Sequence, residues 1–318
     1  MNGQIQLNRD PSAMIQSPGW MLVCDRNGVF VRRRSANAEE IFPALKGEVV
    51  NLTEAVGAEA AHALRNAMAK AGACSALVPR LRVGGALLDA AIHRTSDEIV
   101  IEFEIAGRDS PPSPVDMARL ILDRLSTLDA PEKAQKLLTA TARLLSAGLQ
   151  FDRVAIMQRD GSLRAAHGFD TEAGDMAALR RLTAGNLNKS RTIYDVDAAT
   201  NALLSSGSLN DAPLDLSCAL LRGISEAERA SLRSLGAKAC LLLPLQKEDG
   251  AWGLVACLNR AAALPSLESR AVAELVVAFL SLHLRIALPP PARAIRNGCF
   301  APAIRRRTKN ERAMVAVD

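Results

Sequence analysis

The sequence predicts an α+β protein with two domains, each an antiparallel sheet flanked by helices. Short apolar runs bounded by turn residues recur in both halves of the chain, as is typical of strands. Amphipathic segments with helical spacing stand between these runs. The proline-rich segment DSPPSP at residues 109–114 separates the halves, because proline continues neither a helix nor a central strand.

Length and composition agree with two globular domains. The 318 residues suffice for two ordinary cores, and 49% hydrophobic with 23% charged residues is a globular balance. The formal net charge of +5 resides in residues 288–318, where seven basic residues accompany two acidic ones. We therefore predict a basic disordered tail there, and the balanced remainder gives no electrostatic reason to expect nucleic-acid binding.

The first predicted domain covers residues 15–107 and follows a flexible segment at residues 1–14. Its strands are expected at 20–24, 29–31, 81–83, 87–93 and 98–105, with helices beginning at 35–40 and spanning 55–71. In the last strand, Val100, Glu102 and Glu104 alternate with larger apolar residues. This alternation predicts one buried face and one largely solvated face.

The second predicted domain covers residues 116–287, after a linker at 108–115. Helices are expected at 116–125, 131–149 and 267–286, and a strand follows Phe151. Ser225 and Glu228 have the S-x-x-E spacing of a capping box, and Gly236 is placed to end that helix. Two strands follow at 240–245 and 252–257; they are apolar on both faces, so both faces should be covered.

Several segments resemble bacterial phytochromes. The run DLSCALLRGIS, followed by a helix, LRSLG and WGLVAC, is similar to the segment that lines the chromophore pocket in that family. IQSPG at 15–19, SANAEE at 35–40 and AIHRTSDEIVIEFE at 91–104 also resemble it. The resemblance spans roughly residues 5–287. It implies a PAS domain followed by a GAF domain, with a sensory role and a possible biliverdin ligand.

Covalent attachment of a bilin is not expected. The resemblance places the attachment cysteine of bacterial phytochromes near Gln4 and that of other phytochromes at Ala227, and neither residue carries a thiol. Residues 1–20 contain no cysteine. Cys24 lies in an apolar strand, where a structural role is expected.

The pocket implied by the resemblance has lost much of its usual composition. Glu228 stands at the position of a family histidine, and Leu258 and Asn259 replace the histidines that follow WGL-x-AC. The positions of pocket aromatic residues correspond to Met157, Thr171, Ala184 and Ser231. Losing these rings removes packing area and ring contacts that a tetrapyrrole favours.

Three candidate ligand-binding residues remain, Asp175, Arg191 and Arg222. The resemblance matches both arginines to residues that bind bilin propionates, which suits the bidentate grip of guanidinium on carboxylates. The alternative is structural: Asp175 caps its helix, and the arginines pair with Asp195, Asp197 or Asp215. One interpretation is therefore a reduced photoreceptor with a noncovalent biliverdin or other anionic ligand. The other, which we favour, is a sensory module that no longer carries out ordinary bilin photochemistry, does not bind a bilin covalently and acts through dimerisation or partner binding.

The sequence indicates neither an enzyme nor a metal site. The four histidines lack close spacing, the six cysteines form no C-x-x-C pair, and no nucleotide-binding or nucleophile motif is present. The longest apolar run is too short to span a membrane, so a cytoplasmic protein is expected.

No kinase or other output motif follows the second domain, so we expect a separate histidine kinase or other signalling protein as partner. A homodimer is expected through the helix at 267–286, whose apolar residues exceed one stripe. The predicted interface residues are Leu280 and Leu284, and the resemblance also implies pairing through terminal helices in parallel bundles.

Overall fold

The computed structural model describes residues 8–46, 50–70, 75–107, 132–169, 173–184, 189–205, 214–247 and 250–287, with isolated helical positions in 115–123. The predicted linker, most of the predicted helix at 116–125 and the predicted basic tail lie outside the described residues.

The first domain consists of an antiparallel sheet with helices on one face. Its strands are β1 (Asn8–Gln16), β2 (Trp20–Asp25), β3 (Phe30–Ser35), β4 (Val50–Asn51), β5 (Ala76–Val83), β6 (Ala86–Arg94) and β7 (Glu98–Ile105). The helices are α1 (Leu52–Val56) and α2 (Ala58–Lys70), and short 3-10 turns occupy Ala38–Glu40 and Pro43–Lys46. The predicted helix at 55–71 is divided at Gly57, whose φ of +88° is incompatible with a continuous right-handed helix.

The second domain contributes β8 (Arg153–Gln158), β9 (Leu163–His167), β10 (Arg191–Ile193), β11 (Thr200–Ser205), β12 (Ala239–Lys247) and β13 (Gly250–Asn259). Its helices are α3 (Glu132–Leu149), α4 (Ala173–Thr183), α5 (Glu226–Ser234) and α6 (Leu267–Ala287). Five of the strands form an antiparallel sheet in the order β10-β12-β13-β8-β9.

Both faces of this second sheet are covered, as predicted. On one face, Leu243 and Val255 pack in a buried cluster with Leu138 of α3 and Val276 of α6. On the other face, side chains of β12 and β13 pack with those of α4 and α5. Continuous apolar strands are expected wherever a sheet is buried on both sides.

The last helix departs from the prediction about its exposed residues. Leu280 and Leu284 are 0% and 3% exposed and belong to the core with α3, so the prediction that they form a dimer interface is wrong for these two residues. Leu275 is 64% exposed, and Leu282 is 50% exposed. The face that α6 buries is set by where α3 and β12 lie, which helical spacing alone does not specify.

The first sheet extends into the second domain. Strand β11 pairs antiparallel with both β1 and β3, giving the order β1-β11-β3-β2-β7-β6-β5 with β4 beside β3. Residues 8–14 are therefore part of a strand, and the prediction of a flexible segment is wrong for them. Their strand partners lie 188 to 197 residues away in the chain, from Met14 with Ala202 to Asn8 with Ser205, outside the reach of a local pattern.

The predicted solvated face of β7 is also buried. Val100 and Glu102 are each 2% exposed, and Val100 packs in a cluster with Ile15, Leu203 and Ala219. Ile105, expected in the core, is 53% exposed at the end of the strand. The second domain covers the surface that alternation assigned to water.

Candidate ligand site

Arg191 lies at the start of β10 and its guanidinium is almost fully buried, with 4% of the side chain exposed. Its Nε donates to Glu228 Oε1 at 3.0 Å, and its Nη2 donates to Glu228 Oε2 at 3.1 Å. Nη1 donates to the carbonyl of Arg222 at 2.8 Å, and Nη2 also donates to the carbonyl of Gly223 at 2.6 Å. All three nitrogens of this guanidinium therefore have acceptors within the chain.

Glu228 also caps α5. Its Oε2 accepts hydrogen bonds from the backbone nitrogen and the hydroxyl of Ser225 at 2.9 and 2.8 Å, and the Ser225 Oγ accepts from the Glu228 nitrogen at 3.2 Å. The capping box predicted from the sequence is confirmed. Burial alone would raise the pKa of Glu228, but the charge of Arg191 and the Ser225 hydrogen bonds outweigh it and lower that pKa.

Arg222 lies beside Arg191 but has different partners. Its Nη1 donates to the carbonyls of Ala219 at 2.6 Å and Ser190 at 3.4 Å. No carboxylate among the described residues is within ion-pair distance of its guanidinium. Burial, reinforced by the charge of Arg191, lowers the pKa of Arg222 to about 10. This half-buried guanidinium is the local group best suited to accept an anionic ligand.

The predicted pairing of the arginines with Asp195, Asp197 or Asp215 is wrong for the described structure. Asp197 instead pairs with Arg233 and Lys238. Asp215 accepts a hydrogen bond from the Ser217 nitrogen at 2.8 Å, which lowers its pKa. The true partner of Arg191 is Glu228, which local sequence reasoning had assigned only to the cap.

Asp175 occupies the first turn of α4, where a carboxylate is favoured by the helix dipole. Within the described part of the chain it forms no ion pair with Arg191 or Arg222. The structure therefore brings two of the three candidate residues together. The role of Asp175 in binding stays a prediction.

The sheet face next to α4 and α5 carries a dense apolar cluster. Met157 is fully buried there with Leu179, Leu232 and Leu258. Of the other positions matched to pocket aromatic residues, Ser231 is buried and donates to the Ala227 carbonyl, Ala184 is exposed, and Thr171 lies outside the described residues. Asn259 has a structural role, since its Oδ1 accepts from the Asp152 nitrogen and its Nδ2 donates to the Ala263 carbonyl.

Comparison with known proteins identifies both domains. Residues 5–106 match the family described as PAS fold, and residues 133–284 match the family described as GAF domain. Chromophore-binding domains of bacteriophytochromes have the same fold. The domain from R. palustris aligns with 87% of this chain and 96% of its own length, at a TM-score of 0.68 and 21% identity. The domain from a Stigmatella aurantiaca phytochrome aligns with 87% of this chain and 97% of its own length, at a TM-score of 0.67 and 22% identity.

The chain contains a PAS-fold domain followed by a GAF domain, and it has the fold of bacteriophytochrome chromophore-binding domains. A curated relative, cyanobacterial phytochrome B from Nostoc sp., is 30% identical over 76 residues, which are 24% of this chain and 10% of the relative. The aligned part is thus a small fraction of that relative. The structural likenesses, at 21–22% identity, concern the fold.

Two buried charge clusters join the PAS and GAF domains, and sequence reasoning missed both. Glu102 of the PAS domain contacts His93 Nε2 at 2.6 Å and accepts from the backbone nitrogens of Leu220 and Leu221 at 2.9 and 2.6 Å. Glu102 and Glu104, on the face of β7 that was predicted to be solvated, were the features of the sequence that could have indicated this contact. They face the GAF domain instead of water.

In the second cluster, Arg270 Nη2 donates to both carboxylate oxygens of Glu104 on β7, at 2.5 and 2.6 Å. Arg270 Nη1 also donates to the Tyr194 hydroxyl at 2.5 Å, and its guanidinium lies 5.1 Å from the Tyr194 ring centre. Burial raises the pKa of Glu104, although Arg270 opposes the shift. These contacts fix α6 of the GAF domain against the PAS sheet.

Gln16 connects this junction to the candidate site. Its side-chain nitrogen donates to the carbonyls of Thr192 at 2.7 Å and Arg222 at 2.9 Å, and its oxygen accepts from the Tyr194 nitrogen at 3.1 Å. The Arg222 carbonyl therefore receives hydrogen bonds from both Gln16 and Arg191. Gln16, the second residue of the IQSPG segment, is thus a structural link between the domains.

Three of the four cysteines among the described residues, Cys24, Cys240 and Cys257, are buried. Burial raises the pKa of the Cys24 thiol to about 12, and it raises that of Cys240 and Cys257 as well. Cys218 is half-buried beside Ser217. Among the described residues no group of three His, Cys, Asp or Glu side chains is placed to hold a metal ion, and no helix is both long and apolar enough to cross a membrane.

Proposed function

We propose that this PAS–GAF region is a sensory or signalling module that does not attach a bilin covalently and acts through self-association or partner binding. The pairing of Arg191 with Glu228 supports the proposal most directly. An internal carboxylate takes the position at which the resemblance expects a ligand carboxylate.

Displacing Glu228 would be costly. An incoming carboxylate must break the bidentate pair with Arg191, and the movement also disturbs the capping box with Ser225. A hydrogen bond to a charged group contributes roughly 1.5–3 kcal/mol, so an ordinary anion gains little by replacing a preformed intramolecular one.

The positions of the thiols also support the absence of a covalent bond to a bilin. Ala227 has no thiol, and Cys24 is buried with its pKa raised to about 12. Thioether formation requires an accessible thiolate. The half-buried Cys218 follows Ser217, and the resemblance assigns no attachment there.

The first experiment is co-expression with a biliverdin source, followed by visible spectroscopy and zinc-enhanced fluorescence of a denaturing gel. We expect no fluorescent band and no strong red absorption that shifts on illumination. A bacteriophytochrome chromophore-binding domain treated identically is the positive control. A fluorescent band at the 33.9 kDa mass of the chain would overturn the proposal.

In this proposal the output belongs to another protein, a separate histidine kinase or other signalling protein, and no enzymatic step is assigned to the chain. The proposed location is the cytoplasm. Its reducing conditions suit the free thiols of Cys24, Cys240 and Cys257.

A second candidate function is noncovalent binding of biliverdin or another anion. Arg222 favours it, because this half-buried guanidinium has no carboxylate partner among the described residues and its pKa is lowered to about 10. Asp175 and Arg191 complete the candidate set, with Arg191 available only after Glu228 moves. A ligand carboxylate at Arg222 would relieve the repulsion between the two arginines.

Titration of wild type and Arg222→Ala with biliverdin separates the candidates. If the second holds, the substitution weakens binding by roughly 1.5–3 kcal/mol. If the first holds, wild type shows no saturable uptake and the substitution changes nothing in the titration. Arg233→Ala, which removes an exposed guanidinium paired with Asp197, is the matched control. Saturable wild-type binding that Arg222→Ala weakens and Arg233→Ala leaves unchanged would exclude the first candidate.

A further inference from the structure

Residues 219–223 form an irregular segment between β11 and α5 and are here named the Arg222 loop. Buried backbone groups that belong to no helix or sheet need hydrogen-bond partners from elsewhere in the fold. For the Arg222 loop, several of these partners come from the PAS domain, although the loop itself belongs to the GAF domain.

Strand β1 holds the loop through backbone groups. The Gln16 nitrogen donates to the Leu221 carbonyl at 2.7 Å, and the Gly223 nitrogen donates to the Met14 carbonyl at 2.5 Å. These bonds fix the path of the loop across the PAS domain. They involve neutral groups only.

One charged side chain of the PAS domain also reaches the loop. Glu102 Oε1 accepts from the Leu220 nitrogen at 2.9 Å, and Oε2 accepts from the Leu221 nitrogen at 2.6 Å. Each oxygen of the carboxylate thus holds one of two consecutive N–H groups. Such charge-assisted hydrogen bonds are about twice as strong as neutral ones. Glu102 is 2% exposed, so water competes little for the same donors.

His93 on the neighbouring strand β6 orients this carboxylate. Its Nε2 lies 2.6 Å from Glu102 Oε1, and its side chain is 9% exposed. An ionised carboxylate has acceptors only, so the imidazole nitrogen is the donor. Oε1 therefore receives His93 and Leu220, and Oε2 is directed to Leu221. The PAS domain thus fixes both the position and the rotation of the group that binds the loop.

The path of the loop sets the direction of Arg222. Its Nη1 donates to the carbonyl of Ala219, within the same loop, and more weakly to that of Ser190. The Ala219 carbonyl directly precedes the N–H groups that Glu102 holds, so a shift of the loop moves this acceptor. Burial lowers the pKa of Arg222, and the nearby charge of Glu102 opposes that shift.

Glu104 provides a contrast on the same face of β7. It binds Arg270 of helix α6, whereas Glu102, two residues earlier, binds the loop. Both carboxylates join the PAS domain to the GAF domain, but they hold different elements of it. Loss of either weakens the junction, and only loss of the Glu102 carboxylate is expected to release the loop.

We propose that Glu102, oriented by His93, is a positioning residue by which the PAS domain fixes the Arg222 loop and thereby the direction of the Arg222 guanidinium. The inference rests on the sensory role in the proposed function and adds a route from the PAS domain to the GAF domain. A movement of β6 against β7 that separates His93 from Glu102 releases the loop. Arg222 then leaves the Ala219 carbonyl and is able to turn to an anion or to a carboxylate of a partner.

The first test is native-state amide hydrogen exchange of the full chain, followed by NMR. In Glu102→Gln, exchange of the Leu220 and Leu221 amides should accelerate roughly 10- to 100-fold, because glutamine offers one acceptor oxygen and places its own N–H groups against the loop. Glu104→Gln is the matched control and should change these two rates by less than about 3-fold.

The Arg222 side chain gives a second measurement on the same samples. Its NMR resonances are assigned by their absence from Arg222→Ala. They should shift in Glu102→Gln and stay in place in Glu104→Gln. Loss of stability alone does not produce this difference, because both variants lose one interdomain carboxylate.

His93 gives an independent pair of variants. His93→Gln keeps a side-chain donor and should leave loop exchange within about 3-fold of wild type, whereas His93→Leu should accelerate it roughly 5- to 30-fold. Circular dichroism checks that each variant is folded, and this pair decides if Glu102→Gln does not fold.

Equal loop exchange in Glu102→Gln and Glu104→Gln would overturn the inference, because the loop would then respond only to general loosening of the junction. Equal exchange in His93→Gln and His93→Leu would remove the role of His93 and overturn it as well. Neither result depends on bilin. A fluorescent bilin band would instead overturn the proposed function and leave the exchange results standing.

Discussion

At the scale of single residues, the decisive side chain is Glu228. It caps α5 through Ser225 and at the same time neutralises the buried Arg191. The cap was predictable because its partners lie three residues apart. The ion pair was not, because Arg191 is 37 residues away on strand β10. Glu228, for which the sequence indicated only a capping role, thus also pairs with the guanidinium of Arg191 in the candidate site.

We predict that Glu228→Gln lowers the free energy of unfolding at pH 7 by about 1–3 kcal/mol, because it removes the charge that Arg191 pairs with. The folded-state pKa of Glu228 lies below the usual value of 4.5. Its stabilisation is therefore present above pH 4.5 and is lost as the pH falls through the folded-state pKa. Urea denaturation at pH 7 and at progressively lower pH measures this.

The control for this prediction is Glu226→Gln on the same turn of α5. The Glu226 side chain is 82% exposed and contacts Arg229 only at 3.6 Å, so the change should stay within about 0.5 kcal/mol. Equal stability of wild type and Glu228→Gln at pH 7 would contradict the prediction. So would a deficit in the variant that persisted at the acid end of the range.

At the scale of elements, α6 shows what helical periodicity can and cannot decide. Its apolar residues on several faces correctly indicated that it needs more than one neighbour. They did not indicate which leucines face the chain's own core, because α3 and β12 select that face. Leu280 was assigned to the surface and is buried, whereas Leu282, two residues later, is half exposed.

These two leucines give a matched pair of substitutions. Leu280→Ala should lower the free energy of unfolding by roughly 2–5 kcal/mol, because it leaves a cavity in the GAF core. Leu282→Ala should change it by less than about 1 kcal/mol, since half of that side chain is already in water. Urea denaturation at concentrations that keep the chain monomeric is the measurement. Equal losses in the two variants would show that the core boundary lies elsewhere.

At the scale of the whole molecule, the PAS and GAF domains are joined through polar contacts that neither domain forms alone. Glu102 holds the GAF backbone at Leu220 and Leu221, Glu104 binds Arg270, and Gln16 bonds to both sides of the candidate site. Buried charges are retained only where they are paired, since an isolated one is strongly destabilising. The junction therefore depends on matched groups from both domains, and the candidate site is built partly from it.

The sequence by itself determined the local features of this protein. The two-domain α+β division, most strands, the Ser225–Glu228 cap and the absence of a thiol at residue 227 follow from composition, period and spacing within a few residues. These features depend on interactions between residues that are close in the sequence, and such interactions can be predicted from the sequence.

Only the tertiary structure decided which surfaces meet. It placed Glu228 against Arg191, covered the charged face of β7 with the GAF domain, turned Leu280 inward and drew residues 8–16 into a sheet with β11. The alternation of a strand and the period of a helix show that one face is more polar than the other. They do not show whether the polar face contacts water or a second domain. The partner of each face is fixed by the packing of elements that are 37 to more than 200 residues apart, where chain order carries no local signal.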